Sequence, residues 1–152
     1  MVITTNGRWP LDTNLHQVVK GISAAARIVK HGGDVIAVAE CTEGVGHGHF
    51  ADILSSHPEV DEMIHSLADS PIVLPDQWQA QILGGILKKA TIHVYSKQLS
   101  DAQIRSAKCE PCRDLERRVI ELVGGDQTKT VCILPQGPLT IPYIGAAEAA
   151  FV

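Results

Sequence analysis

The 152-residue sequence predicts an α/β domain: a mostly parallel sheet flanked by helices on both faces, giving three layers in a single domain. Strand-like and helix-like segments alternate along the chain, which is the pattern of βαβ units. The run DVIAVAE at residues 34–40 is mostly apolar, like strands buried on both faces of a parallel sheet. We find no internal repeat, low-complexity segment or linker that would divide the chain.

Four short runs rich in β-branched and apolar residues are the predicted strands. They are residues 2–5, 34–40, 91–96 and 130–134. The turn NGRWP follows the first strand, a loop rich in glycine and histidine follows the second, and PQGP follows the fourth. In an open parallel sheet, ligands bind beyond the carboxyl ends of the strands. We therefore expect a site at the loops NGRWPLD, CTEGVGHGH and LPQGP.

The predicted helices begin at capping residues and end at glycine or where the apolar pattern breaks. The first is capped by Asp12 or Thr13 and ends near Lys30, before a histidine and two glycines. The others run through Leu54, over residues 59–67, from the cap Asp76 through Lys89, and from Ser100, past Pro111, to Val123. The terminal AAEAAFV is also helix-like. Because it has no cap, and the chain enters a strand directly after Met1, we expect a piece excised from a longer polypeptide.

Composition and charge argue against two classes of partner. The net charge of -4 lacks the basic excess of a nucleic-acid-binding protein. No apolar run approaches the roughly 18 residues that a membrane helix requires. The 45% hydrophobic and 20% charged residues are typical of a globular domain with its own core. We therefore expect neither a nucleic acid nor a membrane as partner.

The four cysteines indicate a reducing compartment, and we expect the cytoplasm. Cys41 and Cys132 are solitary, whereas Cys109 and Cys112 form a C-x-x-C. A redox C-x-x-C should follow a strand and open a helix, and this one interrupts a predicted helical region. No second pair completes a zinc site. Incidental thiols are the simpler interpretation.

Gln17 and Lys20 are the candidate ligand-binding residues. Their spacing of three places them on one face of the first helix, near its N-terminus and just after the first strand. An ammonium and an amide, helped weakly by the helix N-terminus, suit a small carboxylate. The same spacing also fits the solvated face of an amphipathic helix, and spacing alone does not choose between the two interpretations.

The loop CTEGVGHGHF contains His47 and His49, with Cys41 and Glu43 nearby. These residue types bind zinc or nickel, yet no two further ligands stand at a fixed spacing. A loop that lines a cleft and a plain surface turn are the other interpretations. The alternating glycines match neither the dinucleotide fingerprint nor a phosphate loop.

Trp78 lies in the first turn of the helix that begins after Asp76. It fits two interpretations, an anchor in the core and an apolar wall of a ligand site. No Ser-His-Asp order, diagnostic carboxylate pair or nucleotide loop indicates another chemistry. Four histidines have no partner that the sequence identifies, namely His31, His57, His65 and His93.

Several of these segments together resemble the C-terminal domain of the nickel-dependent lactate racemase family. They are TTNGRWPLDTNLHQVVKGISAAARIVKHGGDVIAVAEC, the GHGHF loop and DQWQAQILGGILKKATIHVYS. The most specific block combines the TTN turn, PLD, and Q-x-x-K followed by glycine and small residues. The resemblance covers residues 2–137 in order, although residues 99–125 match poorly.

The resemblance implies a two-domain enzyme with its active site in the cleft between the domains. The cofactor is a nickel-pincer nucleotide tethered to a lysine of the N-terminal domain, which also supplies two catalytic histidines and the nickel and phosphate contacts. The reaction takes hydride from C2 of a 2-hydroxy acid and returns it to the opposite face. This chain is then the substrate-binding half, in which Gln17 and Lys20 hold the substrate and Trp78 lies beside it.

Two positions depart from the family pattern. His16 stands beside Gln17, where these racemases usually carry Tyr, so the side chain that flanks the substrate differs. Arg8 and Trp9 are bulky for their turn and bear on which 2-hydroxy acid fits. Lactate itself is therefore not assigned as the substrate.

The expected partners are the N-terminal catalytic domain of the same polypeptide and a small 2-hydroxy acid. This chain carries none of the family's catalytic, cofactor-binding or metal-binding residues, so we expect it to bind no nickel and to racemise nothing alone. One alternative is a stand-alone module that binds an organic anion. Another is a metal or redox protein that uses Cys109 and Cys112, or His47 and His49.

Overall fold

A computed structural model of the chain describes residues 1–145 and confirms the α/β fold. Within these residues the strands are β1 (Val2–Thr5), β2 (Gly33–Val38), β3 (Ala90–Tyr95), β4 (Glu110–Cys112) and β5 (Cys132–Leu134). They form one sheet in the order β4-β3-β2-β1-β5, and every neighbouring pair is parallel. The helix expected over AAEAAFV lies outside the described residues.

The helices lie between the strands, as the alternating pattern predicts. They are α1 (Leu15–Ile28), α2 (His49–Ser56), α3 (Val60–Asp69), α4 (Gln77–Leu87), α5 (Asp101–Ser106) and α6 (Leu115–Val123), with a 3-10 turn at Gly137–Leu139. The apolar stripe of α1, which includes Leu15, Val18 and Ile22, is fully buried against the sheet. None of the helices among residues 1–145 combines the length and the apolar character needed to cross a bilayer.

Helices cover both faces of the sheet. β1, β2, β3 and β4 follow one another in the sheet, so each of the three connections between them moves toward the β4 edge. Connections between parallel strands are right-handed, and three such connections in one direction place α1 to α5 on the same face. α6 then returns across the opposite face to reach β5, next to β1. Val35, Ala37 and Val94 face α1 and α4 in the main core. α6 covers its face less completely, because it has no fully buried residue.

One predicted element is wrong. The helical region expected from Ser100 to Val123 is divided into α5, β4 and α6, so the C-x-x-C ends in a strand. Lys108 has a left-handed backbone with φ of 60°, so a right-handed helix that continues from α5 cannot pass through this residue. Pro111 lies in β4, which pairs with β3 and forms one edge of the sheet within residues 1–145. Proline has no N–H to donate, so it suits an edge strand and breaks a helix.

The helix and strand ends shift by one or two residues from their predicted positions. Asn14 caps α1 in place of Asp12 or Thr13, because its side chain accepts the N–H of Gln17. α1 ends at Ile28, two residues before the predicted end. Asp76 does precede α4, although its side chain makes no capping hydrogen bond.

Candidate functional site

The candidate site lies where three loops leave the carboxyl ends of β1, β2 and β5. Asn6, directly after β1, forms an antiparallel bridge with Gln136, which follows β5. Cys41, after β2, donates its N–H to the carbonyl of Asp12 at 2.9 Å. These backbone contacts join the three loops into one continuous edge, beside the start of α1.

Gln17 and Lys20 meet on the exposed face of α1. Lys20 Nζ donates to Gln17 Oε1 at 2.6 Å; Lys20 is exposed and Gln17 is half-buried. Since an ammonium can only donate, it holds the amide oxygen toward itself and leaves Gln17 Nε2 available as a donor. Among the described residues, Lys20 forms no ion pair. The spacing thus brings the two groups together, while their binding role stays a prediction.

The N-terminus of α1 has its backbone donors occupied. Leu15 donates to the carbonyl of Gly44 at 3.1 Å, His16 to that of Val45 at 3.0 Å, and Gln17 to Asn14 Oδ1 at 3.0 Å. Free N–H groups at a helix start are the usual anion ligands. These N–H groups are therefore not free to bind an anion directly, and we expect a carboxylate at this place to be bound by side chains.

The loop CTEGVGHGHF lies against α1 and closes its first turn. Gly46 has φ of +129°, and a Cβ at this position would lie 2.9 Å from the Cβ of His16. The His47 side chain is 81% exposed, with Nε2 3.9 Å from Glu43 Oε2. Residues 1–145 contain no group of three or more His, Cys, Asp or Glu side chains placed to hold a metal ion. The donor set of this loop therefore does not fit a metal site.

Asn6 is a candidate that sequence reasoning missed. It is 1% exposed and connects the end of β1 to α1. Its Nδ2 donates to the carbonyls of Leu11 and Gln17, the latter at 2.9 Å, and its Oδ1 accepts the N–H of Gly21 at 3.0 Å. The signal in the sequence is its place in the TTN turn, between a strand and the helix that carries the Q-x-x-K pair.

His16 and Trp78 lie side by side near the start of α1. Their ring centroids are 6.1 Å apart with an interplanar angle of 80°, and His16 also contacts Phe50 edge-on at 5.0 Å. Trp78 is 52% exposed, so it does not serve as an anchor in the core. Its ring instead forms an apolar surface next to His16.

The surroundings of the His16 ring favour its neutral form. Burial is the largest cause that lowers the pKa of His16 below its ordinary value of 6.5; Asp76 opposes this shift and the charge of Lys20 adds to it. His16 Nε2 lies 3.5 Å from Asp76 Oδ1, which is too long for a good hydrogen bond, and it has no other partner among the described residues. Gln79 holds the backbone here, because its Nε2 donates to the carbonyl of His16 at 2.8 Å.

Two cavities formed by residues 1–145 are not lined by Gln17 or Lys20. One of ≈ 340 Å³ lies at the carboxyl edge, where Arg8, Trp9 and Glu40 line it. A larger one of ≈ 490 Å³ lies at the amino ends of β1 and β2. Parallel sheets bind their ligands at the carboxyl ends of the strands, so the larger cavity lies at the end of the sheet where ligands do not usually bind. The Gln17–Lys20 pair lies on the surface of α1, outside both of these cavities.

The C-x-x-C is buried and poorly suited to thiol chemistry. All four cysteines are free. Burial raises the pKa of Cys109 to about 12 and also raises the pKa of Cys112. The thiolate is the reactive form of cysteine, so these thiols are held in their unreactive state.

A partly buried contact between His93 and Asp34 was also not predicted from the sequence. His93 Nε2 lies 2.9 Å from Asp34 Oδ1, and His93 Nδ1 has no partner among the described residues. The two residues are 59 positions apart and meet because β2 and β3 are paired. Asp34 lines the cavity at the amino ends of the strands, away from the candidate site.

Comparisons with known proteins identify a family. The family model described as the lactate racemase C-terminal domain matches residues 1–141. The chain is 30% identical over 141 residues to a lactate racemase of Thermoanaerobacterium thermosaccharolyticum, and 31% identical over 140 residues to a lactate racemase of Lactiplantibacillus plantarum. Each match covers 90% of this chain and 33% of the relative, so the chain spans about one third of the length of these curated relatives.

A solved structure agrees with the family match. The lactate racemase apoprotein from Thermoanaerobacterium thermosaccharolyticum superposes with a TM-score of 0.81 at 28% sequence identity. The match covers 90% of this chain and 33% of that protein. The fold of residues 1–145 is thus similar to one part of a longer lactate racemase.

Proposed function

This chain belongs to the lactate racemase C-terminal domain family, and from that premise we propose that it is the substrate-binding part of a racemase or epimerase for a small 2-hydroxy acid. The relatives that support this proposal are lactate racemases about three times as long as this chain. The reaction that we propose for the whole enzyme removes hydride from C2 of the substrate and returns it to the opposite face.

The contact between Gln17 and Lys20 is the observation on which the proposal rests. Lys20 donates one of the three hydrogens on Nζ to Gln17 Oε1, which leaves two for a ligand. Gln17 adds the two N–H donors on Nε2. A carboxylate that accepts from both residues forms an ion-paired hydrogen bond with the Lys20 ammonium and a second hydrogen bond with the uncharged Gln17 amide. The charged bond contributes roughly 1.5–3 kcal/mol. Two fixed donors also orient the acid, so its C2 atom is presented in a single direction.

Trp78 and His16 are the proposed flanks of the same site. The exposed indole offers an apolar wall for the carbon chain of the acid. The Lys20 charge helps to lower the pKa of His16, so the His16 ring is proposed to add a polar flank without a second positive charge. We therefore propose that the pair binds the carboxylate while these rings contact the remainder of the acid.

A second domain of the same polypeptide is the proposed cover of this open surface. Since the donor set of residues 1–145 does not fit a metal, we propose that the other domain holds the nickel-pincer nucleotide that the resemblance implies. That cofactor would supply the hydride-accepting chemistry. The role of this chain is then to hold and orient the acid. A cytoplasmic setting is part of the same proposal and agrees with four free cysteines.

Removal of the Lys20 charge tests the proposal in the polypeptide that contains both domains. We expect Lys20→Ala to lower kcat/KM for lactate by about 10- to 100-fold, the range that corresponds to one charge-assisted hydrogen bond. Arg27→Ala is the matched control: Arg27 is an exposed cation on the same helix, roughly 10 Å farther from the site. Arg27→Ala should change kcat/KM little.

Equal kcat/KM for Lys20→Ala and the unchanged enzyme, with both proteins folded by circular dichroism, would remove the role assigned to Lys20. The full coding sequence distinguishes this proposal from the alternative of a stand-alone anion-binding module. An upstream domain in the same reading frame supports the enzyme, and a natural start at Met1 supports the module.

A further inference from the structure

The Asn6 side chain joins two groups that lie one helical turn apart on α1. Its Nδ2 donates to the carbonyl of Gln17, and its Oδ1 accepts from the N–H of Gly21. These two backbone groups are at positions i and i+4, the spacing of hydrogen-bond partners in an α-helix. Lys20 lies within the same turn. Asn6 therefore holds the one turn of α1 that carries both candidate binding residues.

Only an amide of this length satisfies all three contacts. Asn6 donates to Leu11 and Gln17 and accepts from Gly21, so both ends of its side chain are used. Aspartate would keep the acceptor and lose both donors, and an aliphatic residue would lose all three. The residue is 1% exposed, and a buried polar group with fully satisfied hydrogen bonds allows little movement of the elements that it joins.

Two glycines allow the close approach that this contact needs. A Cβ on Gly21 would lie 2.7 Å from Asn6 Oδ1 and 3.2 Å from the carbonyl of Thr5. A Cβ on Gly137 would lie 2.7 Å from the Cα of Gly21 and 2.5 Å from Thr4 Oγ1. The turn is thus pressed between the end of β1 and the segment that follows β5, and it has no room to rotate or slide.

We propose that Asn6 is a positioning residue, which sets the direction of Gln17 and Lys20 by clamping their turn to the end of β1. The inference rests on the proposed function of that pair. If Asn6 contributes to carboxylate binding only through this pair, its effect on KM depends on the presence of Gln17 and Lys20. A residue that acts by general stability has no such dependence.

The test uses lactate and the polypeptide that contains both domains. Asn6→Ala removes the clamp, and Asn6→Asp is measured beside it because it keeps the shape and the bond to Gly21. We expect both variants to raise KM by about tenfold, the factor that corresponds to roughly one hydrogen bond, with a smaller effect on kcat. Lys89→Met is the control: Lys89 Nζ donates at 2.6 Å to the carbonyl of Ala26, at the far end of the same helix.

A double-mutant cycle separates positioning from stability. In a background that carries both Gln17→Ala and Lys20→Ala, Asn6→Ala should change KM by less than about twofold, because both groups that it positions are gone. The inference is overturned if Asn6→Ala keeps its full effect in that background, or if Lys89→Met raises KM equally at an equal loss of Tm. If Lys20→Ala alone leaves KM unchanged, the proposed function fails instead, whatever the Asn6 variants do.

Discussion

Gly21→Ala perturbs the contact between α1 and β1 at its tightest point. The added Cβ would lie 2.7 Å from Asn6 Oδ1, 3.2 Å from the carbonyl oxygen of Thr5 and 3.5 Å from Thr4 Oγ1. The first contact is shorter than a Cβ tolerates, and the Asn6 oxygen has no freedom to retreat because three hydrogen bonds hold its side chain. The helix must therefore move away from the strand.

The expected change in stability follows from three contributions. Alanine is preferred over glycine inside a helix by about 1 kcal/mol, which favours the variant. The loss of the hydrogen bond between Asn6 and Gly21 destabilises by about 1 kcal/mol and offsets that gain. The overpacked contact remains, and such contacts destabilise by roughly 1–3 kcal/mol. We expect Gly21→Ala to lower the free energy of unfolding by about that amount.

Urea denaturation followed by circular dichroism measures this change, and Gly85→Ala supplies the control. Gly85 also lies inside a helix, but a Cβ at this position meets nothing within 4 Å. Here the helix preference acts alone, and the variant should be more stable by about 0.5–1 kcal/mol. If Gly21→Ala is as stable as Gly85→Ala, the close approach of α1 and β1 does not exist as described.

Three further predictions concern other parts of the chain. Arg113→Met should lower the free energy of unfolding by about 2 kcal/mol in urea denaturation, because Arg113 donates to the carbonyls of Ser96 and Leu99 at 2.6 and 2.7 Å. Neutral surface substitutions change this free energy by up to about 0.5 kcal/mol, and a loss within that range would contradict the prediction. The pKa of His16 is lowered in the folded protein, so the unfolded chain binds the proton more readily. The contribution of His16 to the free energy of unfolding is therefore present above pH 6.5 and is lost as the pH falls through the folded pKa. His16→Phe should flatten that decline in denaturation curves measured over a pH series, and an unchanged slope would argue against it. Titration of the native protein with a thiol reagent should leave the buried Cys109 unmodified until the chain is unfolded, since burial raises its pKa to about 12, and rapid modification of this thiol would show that it is accessible.

Local patterns were enough to predict much of the fold. The alternation of strand and helix led to the α/β class, and the apolar stripe of α1 led to its buried face. The proximity of Gln17 and Lys20 was also predictable, because residues three apart on a helix are neighbours whatever surrounds them. These features depend on positions within one element, which a sequence displays directly.

Contacts between distant segments were not predictable in the same way. Asn6 reaches Gln17 and Gly21 only because the turn after β1 folds back against α1. The backbone of Gly44 and Val45 closes the start of α1, which no spacing rule indicates. β4 was missed for a different reason: three residues around a proline carry too little pattern to be distinguished from a helix break.

The central claim is that Lys20 recognises the carboxylate of the substrate through its charge. The most direct measurement compares lactate with lactamide, its uncharged amide, as competing ligands of the proposed two-domain polypeptide. In Lys20→Met, the preference for lactate over lactamide should fall by about 10- to 100-fold, because the charge-assisted bond is lost while the length of the side chain is kept. A preference that stays the same in Lys20→Met would contradict the claim.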